Sequence, residues 1–359
     1  MKIGIIGAGQ LGRMLALAGY PLGLRFVFVD QSADAPGGQV GAIITGGFDD
    51  LGALNQLADC TDVITFDVEN VPVEAVREIA ARTRFLPPVA ALESAQDRLV
   101  EKTLFGELGI PTPRFEAVDD RAGLDAAIAK IGLPAVLKTR RLGYDGRGQA
   151  FLRSPADLDD AWARFGDRPL ILEAFVPFER EVSIIGVRSI GGETRCYPLS
   201  ENVHEDGILR YSRSPLEDPG LQDAAQAHIG VLMDHLDYAG VLTIEFFVQD
   251  GGLLANEMAP RVHNSGHWTI EGAVTSQFEN HIRAILDLPL GDTASRGHAG
   301  MVNFLGDLPP LAAVLEIPGA HFHSYGKTPR PQRKLGHCTV VADSGAGRDA
   351  ALKQVLALT

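Results

Sequence analysis

Gly240-Val241-Leu242-Thr243-Ile244-Glu245-Phe246-Phe247-Val248, then Gln249-Asp250-Gly251-Gly252, then Leu253-Leu254-Ala255-Asn256-Glu257 is the stretch on which the reading of this chain turns. The first run is rich in β-branched and aromatic residues and predicts a strand, the polar and glycine residues predict a turn, and Leu253–Glu257 predicts the returning strand. Glu245 sits in an otherwise apolar run, where an unpaired charge is costly. A four-residue loop sets Glu245 opposite Asn256, whereas a one-residue bulge sets it opposite Glu257. In either register two carboxylates and an amide oxygen gather at one end of the hairpin. That is a hard-oxygen set, suited to Mg2+ carried in with nucleotide phosphates. The chain continues Met258-Ala259-Pro260-Arg261-Val262-His263-Asn264-Ser265-Gly266-His267, adding an arginine and two histidines. Such density suits chemistry better than packing.

The 359 residues, 45% hydrophobic and 22% charged, predict two or three globular domains with ample core. A net charge of −14 argues against a nucleic-acid or anionic-membrane surface, so phosphate-bearing ligands must meet local basic clusters. Cys60, Cys196 and Cys338 are far apart and predict buried thiols in a reducing cytoplasm. The apolar N-terminus Lys2–Gly9 is too short and glycine-broken for a signal peptide, and no run approaches a membrane span.

Outward toward the N-terminus, Lys2–Ile6 predicts a buried strand followed by Gly7-Ala8-Gly9-Gln10-Leu11-Gly12 and a helix over Arg13–Gly19. With Asp30 closing a second strand, this is a respectable dinucleotide fingerprint. Its physical content is narrower: the glycines let a helix N-terminus approach some anion closely. Further strand and helix units follow, with Glu69 and Asn70 at the carboxyl end of the strand Asp62–Thr65, where open α/β sheets bind ligands. A helix over Ala91–Leu108 carries Asp97, Arg98 and Lys102. Next comes the strand Pro134–Lys138, ending in a lysine, and the glycine loop Gly143-Tyr144-Asp145-Gly146-Arg147-Gly148-Gln149. A strand lysine and a glycine-rich flap can grip a triphosphate, although no Walker A signature is present. Strands over Pro169–Val176 and Glu181–Arg188 frame Glu173-Ala174-Phe175-Val176 as a base-binding linker, with Glu181 placed to accept from ribose hydroxyls. Asn202–Gly207 reads as a polar loop bearing His204. Near the C-terminus Lys327, Arg330, Arg333 and Lys334 place four cations in eight residues, a candidate phosphate clamp in an acidic chain.

Lys138, the Gly143–Gln149 flap, Glu173–Val176, Glu181, Glu245 and Asn256-Glu257, in this order and spacing, resemble the ATP-grasp superfamily. Four further motifs, Gly9–Met14, Gly143–Gln149, Asn202–Ile208 and Met258–Thr269, closely resemble the 5-(carboxyamino)imidazole ribonucleotide synthetase family of purine biosynthesis. The likeness spans nearly the whole chain; a departure is Phe66-Asp67-Val68 before Glu69-Asn70, where the family more often shows a glutamate and an aromatic.

The resemblance implies an α/β and α+β fold. It would comprise a Rossmann-like pre-ATP-grasp domain over residues 1–95, an ATP-grasp domain over 96–297 and a small β-rich C-terminal domain over 298–359. Within the central domain, the small flap-bearing lobe covers about 110–172 and the large lobe about 173–297. It further implies ATP and Mg2+ as cofactors, 5-aminoimidazole ribonucleotide and bicarbonate as substrates, a carboxyphosphate intermediate, and a cytoplasmic homodimer.

Nucleotide contacts are expected from Arg98, Lys138, Gly143–Gln149, Glu173–Val176, Glu181, His204, Asn256 and Glu257, and metal contacts from Glu245, Glu257 and Asn256. Gln10, Leu11, Glu69, Tyr144, Arg147, Lys327, Arg333 and Lys334 are expected at the ribonucleotide. Arg261, His263, Asn264 and Asp145 are the expected catalytic residues. Three rival readings are a nicotinamide dehydrogenase, another ATP-grasp ligase such as a formate-using glycinamide ribonucleotide transformylase, and a non-catalytic nucleotide-binding protein.

Overall fold

The structure is a computed structural model describing residues 1–143 and 148–359. Among these residues three sheets carry the fold. The first is wholly parallel, in the order Ala42–Thr45, Arg25–Asp30, Lys2–Ile6, Val63–Phe66, Arg84–Phe85. Its central strands are continuous apolar runs because helices cover both faces. Because the strands are parallel, the loops that follow Lys2–Ile6, Arg25–Asp30 and Val63–Phe66 share the carboxyl edge, where Gly9, Asp30 and Asp67–Asn70 meet.

The second sheet is antiparallel, in the order Phe115–Val118, Leu170–Ala174, Ala135–Thr139, Gln149–Leu152. It packs on the helices Arg121–Ile131 and Asp157–Phe165 around its own apolar core. The third has nine strands and begins at the edge with Gly252–Ala259, then Gly240–Gln249 and Arg180–Arg188. It runs on without a break into the C-terminal strands His298–Leu305, Lys334–Ala342 and Ala320–Ser324. Tyr211–Ser214 pairs with Ala299–Val302, which joins the central and C-terminal segments in one sheet.

Two local expectations change. The single helix expected over Ala91–Leu108 is two, Val89–Ala95 and Arg98–Glu107, because Asp97 leaves the helix and caps the second one through Leu99 N at 3.0 Å. The polar loop expected over Asn202–Gly207 is mostly strand: Ser200–Glu205 pairs with Ile208–Ser214 across a tight turn at Asp206-Gly207. Its Ser200 and Asn202 are buried, Asn202 at 4% exposure, and the run of polar residues imitates a loop.

Candidate active site

The hairpin resolves the register left open by its sequence. Asp250 and Gly251, with φ of +51° and +71°, form a two-residue turn that sets Gln249 opposite Gly252 and Phe246 opposite Ala255. A bulge then inserts Asn256, so that Glu245 faces Glu257. Regular alternation would send Asn256 and Glu257 to opposite faces. With two residues opposing one, both line the same cavity as Glu245. Burial pushes the Glu245 carboxyl up to about 7, and the neighbouring Glu257 and Glu181 charges add to this against His204. For Glu257, burial also pushes upward, but the Arg98 guanidinium, 2.9 Å away, outweighs it and holds the carboxyl below its usual range. Among the described residues no three His, Cys, Asp or Glu side chains converge as a self-sufficient metal cage. Two carboxylates and an amide oxygen with surplus negative charge fit an ion that arrives with phosphate oxygens of its own.

The cavity beside this end encloses about 270 Å3 between the second sheet and the third. Arg98, Lys138, Gln149, Glu173, Ala174, Phe175, Val176, Glu181, His204, Glu245, Asn256 and Glu257 all line it, as does Lys334. Its walls are aromatic: Phe178 stacks on Phe247 at 4.8 Å and Phe151 meets Phe175 edge-on at 5.1 Å, a slot suited to a planar base. Lys138 Nζ lies 2.8 Å from the Glu173 carboxylate and 3.4 Å from Asn256 Oδ1. Glu173 is 2% exposed; burial would raise its carboxyl, but Lys102 and Lys138 hold it below the usual range. His204 pairs with Glu181 at 3.1 Å. Burial pulls that imidazole down, and the bond to Glu181 with the charges of Glu245 and Glu257 prevails, leaving it raised.

A second cavity, about 520 Å3, opens at the carboxyl edge of the parallel sheet. Gln10, Leu11, Asp67, Glu69, Gly143, Arg261 and Lys334 line it. Here the glycine fingerprint acquires a different meaning. Asp67 Oδ2 accepts from Gly12 N at 3.0 Å and Asp30 Oδ2 from Ala8 N at 2.9 Å, so the helix N-terminus is already occupied by the chain's own carboxylates. Gly7 is glycine for this reason: at φ +92° its Cβ would stand 1.7 Å from Asp67 Oδ1. Burial pushes Asp67 up to about 6 despite the Gly12 amide. A dinucleotide pyrophosphate would have to displace this buried acid, which removes the basis of the dehydrogenase reading.

Arg98, Glu257, His263, Asn264 and Lys334 line both cavities. The wall between them is therefore shared by charged and amide side chains. His263 Nδ1 accepts from the Ser265 amide, so its neutral ring carries the proton on Nε2. Burial, with Arg261 and Lys334 nearby, pulls this imidazole well below its ordinary value, so it stays neutral. Behind it Ser265 Oγ meets Ser183 Oγ at 2.8 Å, and Ser183 meets Asn202 Nδ2 at 3.0 Å. Asn202 Nδ2 in turn lies 3.5 Å from Glu245. This buried chain couples the orientation of His263 to that of Glu245.

The sequence matches a curated N5-carboxyaminoimidazole ribonucleotide synthase from Pseudomonas aeruginosa at 52% identity over all of this chain and 99% of that protein. The chain belongs to the N5-carboxyaminoimidazole ribonucleotide synthetase family. Family models agree segment by segment: a ribonucleotide synthetase preATP-grasp domain over 1–96, an ATP-grasp domain over 103–278, and a phosphoribosylaminoimidazole carboxylase C-terminal domain over 299–351. A crystal structure of the synthetase from Thermus thermophilus superposes with a TM-score of 0.96 at 53% identity, covering 99% of this chain and 98% of that one. The Aspergillus clavatus synthase, 31% identical with a TM-score of 0.92 and coverage of 99% and 98%, was solved with ADP and 5-aminoimidazole ribonucleotide.

Set against the sites expected of this synthetase family, the placements divide clearly. Arg261 does not stand alone: its Nε is 2.6 Å from Glu69 Oε1, joining an expected catalytic residue to an expected substrate residue. Both amide ends of Asn264 are taken by Asn303, at 3.0 and 2.8 Å, which makes it a rigid strut in the shared wall. Of the basic C-terminal residues, Lys334 lines both cavities, while Lys327 and Arg333 line neither. Lys327 instead donates to Gln10, and Arg333 to the Thr328 carbonyl at 3.0 Å. Gly148 lies outside both linings at φ +75°. Tyr144, Asp145, Gly146 and Arg147 lie outside the described residues. Sequence reasoning missed Asp67, Asn202, Ser183 and the buried pair Glu101 and Lys102. Nothing in their own helix marks Glu101 and Lys102, because the backbone groups they bind at Ala255, Asn256 and Met258 lie more than 150 residues away.

Proposed function

We propose that this chain carboxylates 5-aminoimidazole ribonucleotide with bicarbonate at the expense of ATP, releasing ADP and phosphate through carboxyphosphate, in purine biosynthesis. The observation that carries this reading is the wall of five side chains common to the two cavities. A nucleotide seated between the aromatic slot and Lys138 would present its γ-phosphate to that wall. A ribonucleotide held at Gln10, Glu69 and Lys334 would present its amine from the other side. Bicarbonate between them attacks phosphorus in line, and a reactive mixed anhydride then has only a short path to the amine. The neutral Nε2–H of His263 and the guanidinium of Arg261 are the groups placed to hold its oxygens.

Glu245 and Glu257, with Asn256 Oδ1, would hold Mg2+, which supplies charge neutralisation for the phosphates. Lys138 would leave Glu173 in part to meet the α- and β-phosphates, and Glu181 would take ribose hydroxyls. The expected segments at about 1–95, 96–297 and 298–359 would serve respectively the ribonucleotide, the nucleotide and the joint between them. The proposed assembly is a cytoplasmic homodimer, expected by light scattering at twice the mass of one chain.

The test is ADP release by the purified protein with Mg-ATP and 5-aminoimidazole ribonucleotide in degassed buffer, with and without added bicarbonate. Release that requires all three, with the carboxylated ribonucleotide formed, is the expected outcome. Release that requires a different acid or acceptor instead would keep the nucleotide site and discard the substrate.

A further inference from the structure

The strand Gly252–Ala259 is the outer edge of the nine-stranded sheet, and the bulge at Asn256 takes that residue out of its one neighbouring ladder. An edge and a bulge together leave backbone groups that must find partners elsewhere. The Ala255 amide finds the Pro111 carbonyl at 2.7 Å, and others find partners in the helix Arg98–Glu107. Lys102 Nζ donates to the carbonyls of Asn256 at 3.0 Å and Ala255 at 3.4 Å, and the Glu101 carboxylate accepts from the Met258 amide at 2.6 Å. Both side chains are fully withdrawn from solvent, Lys102 at 0% and Glu101 at 2% exposure. Lys102 lines neither cavity and Glu101 borders only the second, so neither lines the nucleotide cavity. Burying ionisable side chains is a costly way to satisfy an edge that water or a loop could satisfy.

We propose that Glu101 and Lys102 are positioning residues for the metal-binding end of the site. By gripping the chain on either side of Glu257, they hold the bulge in the form that turns both Asn256 and Glu257 toward Glu245. Lys102 also lies 3.6 Å from Glu173, whose other partner, Lys138, reaches the Asn256 side chain. The same bulged residue is thus held at its backbone by one lysine and at its amide by the other. The inference rests on the ligase reading above in naming the metal and the nucleotide.

The test uses the full chain carrying Lys102→Met. ADP binding is measured by calorimetry as Mg2+ is added, and again in EDTA, beside the steady-state KM for the ribonucleotide. The expected result is an Mg2+ half-saturation raised about 10- to 100-fold, with ADP affinity in EDTA and the KM both within about twofold. A folded variant with unchanged Mg2+ half-saturation overturns the proposal. So does a loss of ADP affinity in EDTA, which would make Lys102 a direct nucleotide ligand. If that variant fails to fold, Glu101→Leu and Glu101→Gln decide. The glutamine keeps an oxygen for the Met258 amide and is expected to restore Mg2+ dependence that the leucine loses; equal behaviour overturns the proposal. A wild-type protein whose ADP release ignores bicarbonate and the ribonucleotide defeats the ligase reading instead, while the binding measurement still judges the positioning role.

Discussion

Glu245 and Glu257 face one another across a ladder, yet their environments drive their protonation apart. Arg98 keeps Glu257 ionised, whereas burial and like charges leave Glu245 at about 7. A carboxyl whose folded value lies above its ordinary one contributes most to stability when protonated, and that contribution is lost as pH rises through about 7. Binding a cation there must release that proton. The apparent Mg2+ half-saturation is therefore expected to rise as pH falls below about 7, by up to about tenfold per unit, and Mg2+ titrations at pH 8 and pH 6 check it. No change between them would contradict the assignment of Glu245 as a ligand. The companion prediction is that Glu257→Ala lowers kcat by at least about 100-fold. Calorimetric affinity for the ribonucleotide should stay nearly unchanged, because the remaining charged residues of the second cavity are intact; loss of that affinity alone would give Glu257 a merely structural part.

At the scale of elements, the hairpin shows what local chemistry specifies and what it leaves open. Its two strands and its Asp-Gly turn were legible from β-branched runs and turn residues. The bulge was only one of two allowed registers, because its stabilising partners, Glu101 and Lys102, sit more than 150 residues earlier on another element. The strand Ser200–Glu205 was hidden by its polarity: the buried Asn202 serves an internal network, and the pattern imitates a loop. The break at Asp97 was hidden likewise, since that acid both caps a helix and binds Arg140 at 3.0 Å. Gly251 offers a clean test of the turn. Nothing lies within 4 Å of a Cβ there, so Gly251→Val pays only for φ of +71°. A loss of about 1–2 kcal/mol by urea denaturation is expected, with kcat retained.

For the whole molecule, the second cavity draws on the parallel sheet, the central segment and the C-terminal basic stretch together. The fold class and the identity of most lining residues were readable in sequence, but their convergence was not. Lys327 meets Gln10 across 317 residues, whereas Arg333, chemically alike, donates to the Thr328 carbonyl five residues away. Ligand binding is thus expected to stabilise the chain as one unit. At a ribonucleotide concentration of about 100 times Kd, mass action adds about 2.7 kcal/mol, seen as an upward shift of a single thermal transition. Glu69→Ala should abolish that shift and retain the one produced by Mg-ADP. Two separate transitions, only one of them moved by ribonucleotide, would contradict this account.

Asp67, lodged against the Gly12 amide, has a consequence outside the reaction itself. A glycine loop of this form ordinarily makes a protein answer to the ratio of oxidised to reduced nicotinamide cofactor around it. Here the chain's own Asp30 and Asp67 take the Ala8 and Gly12 amides, so the loop offers no pyrophosphate seat through which it could answer to that ratio. Under the reaction proposed above, the supply of carboxylated ribonucleotide would follow ATP and dissolved carbonate, neither of which needs that loop as a dinucleotide seat.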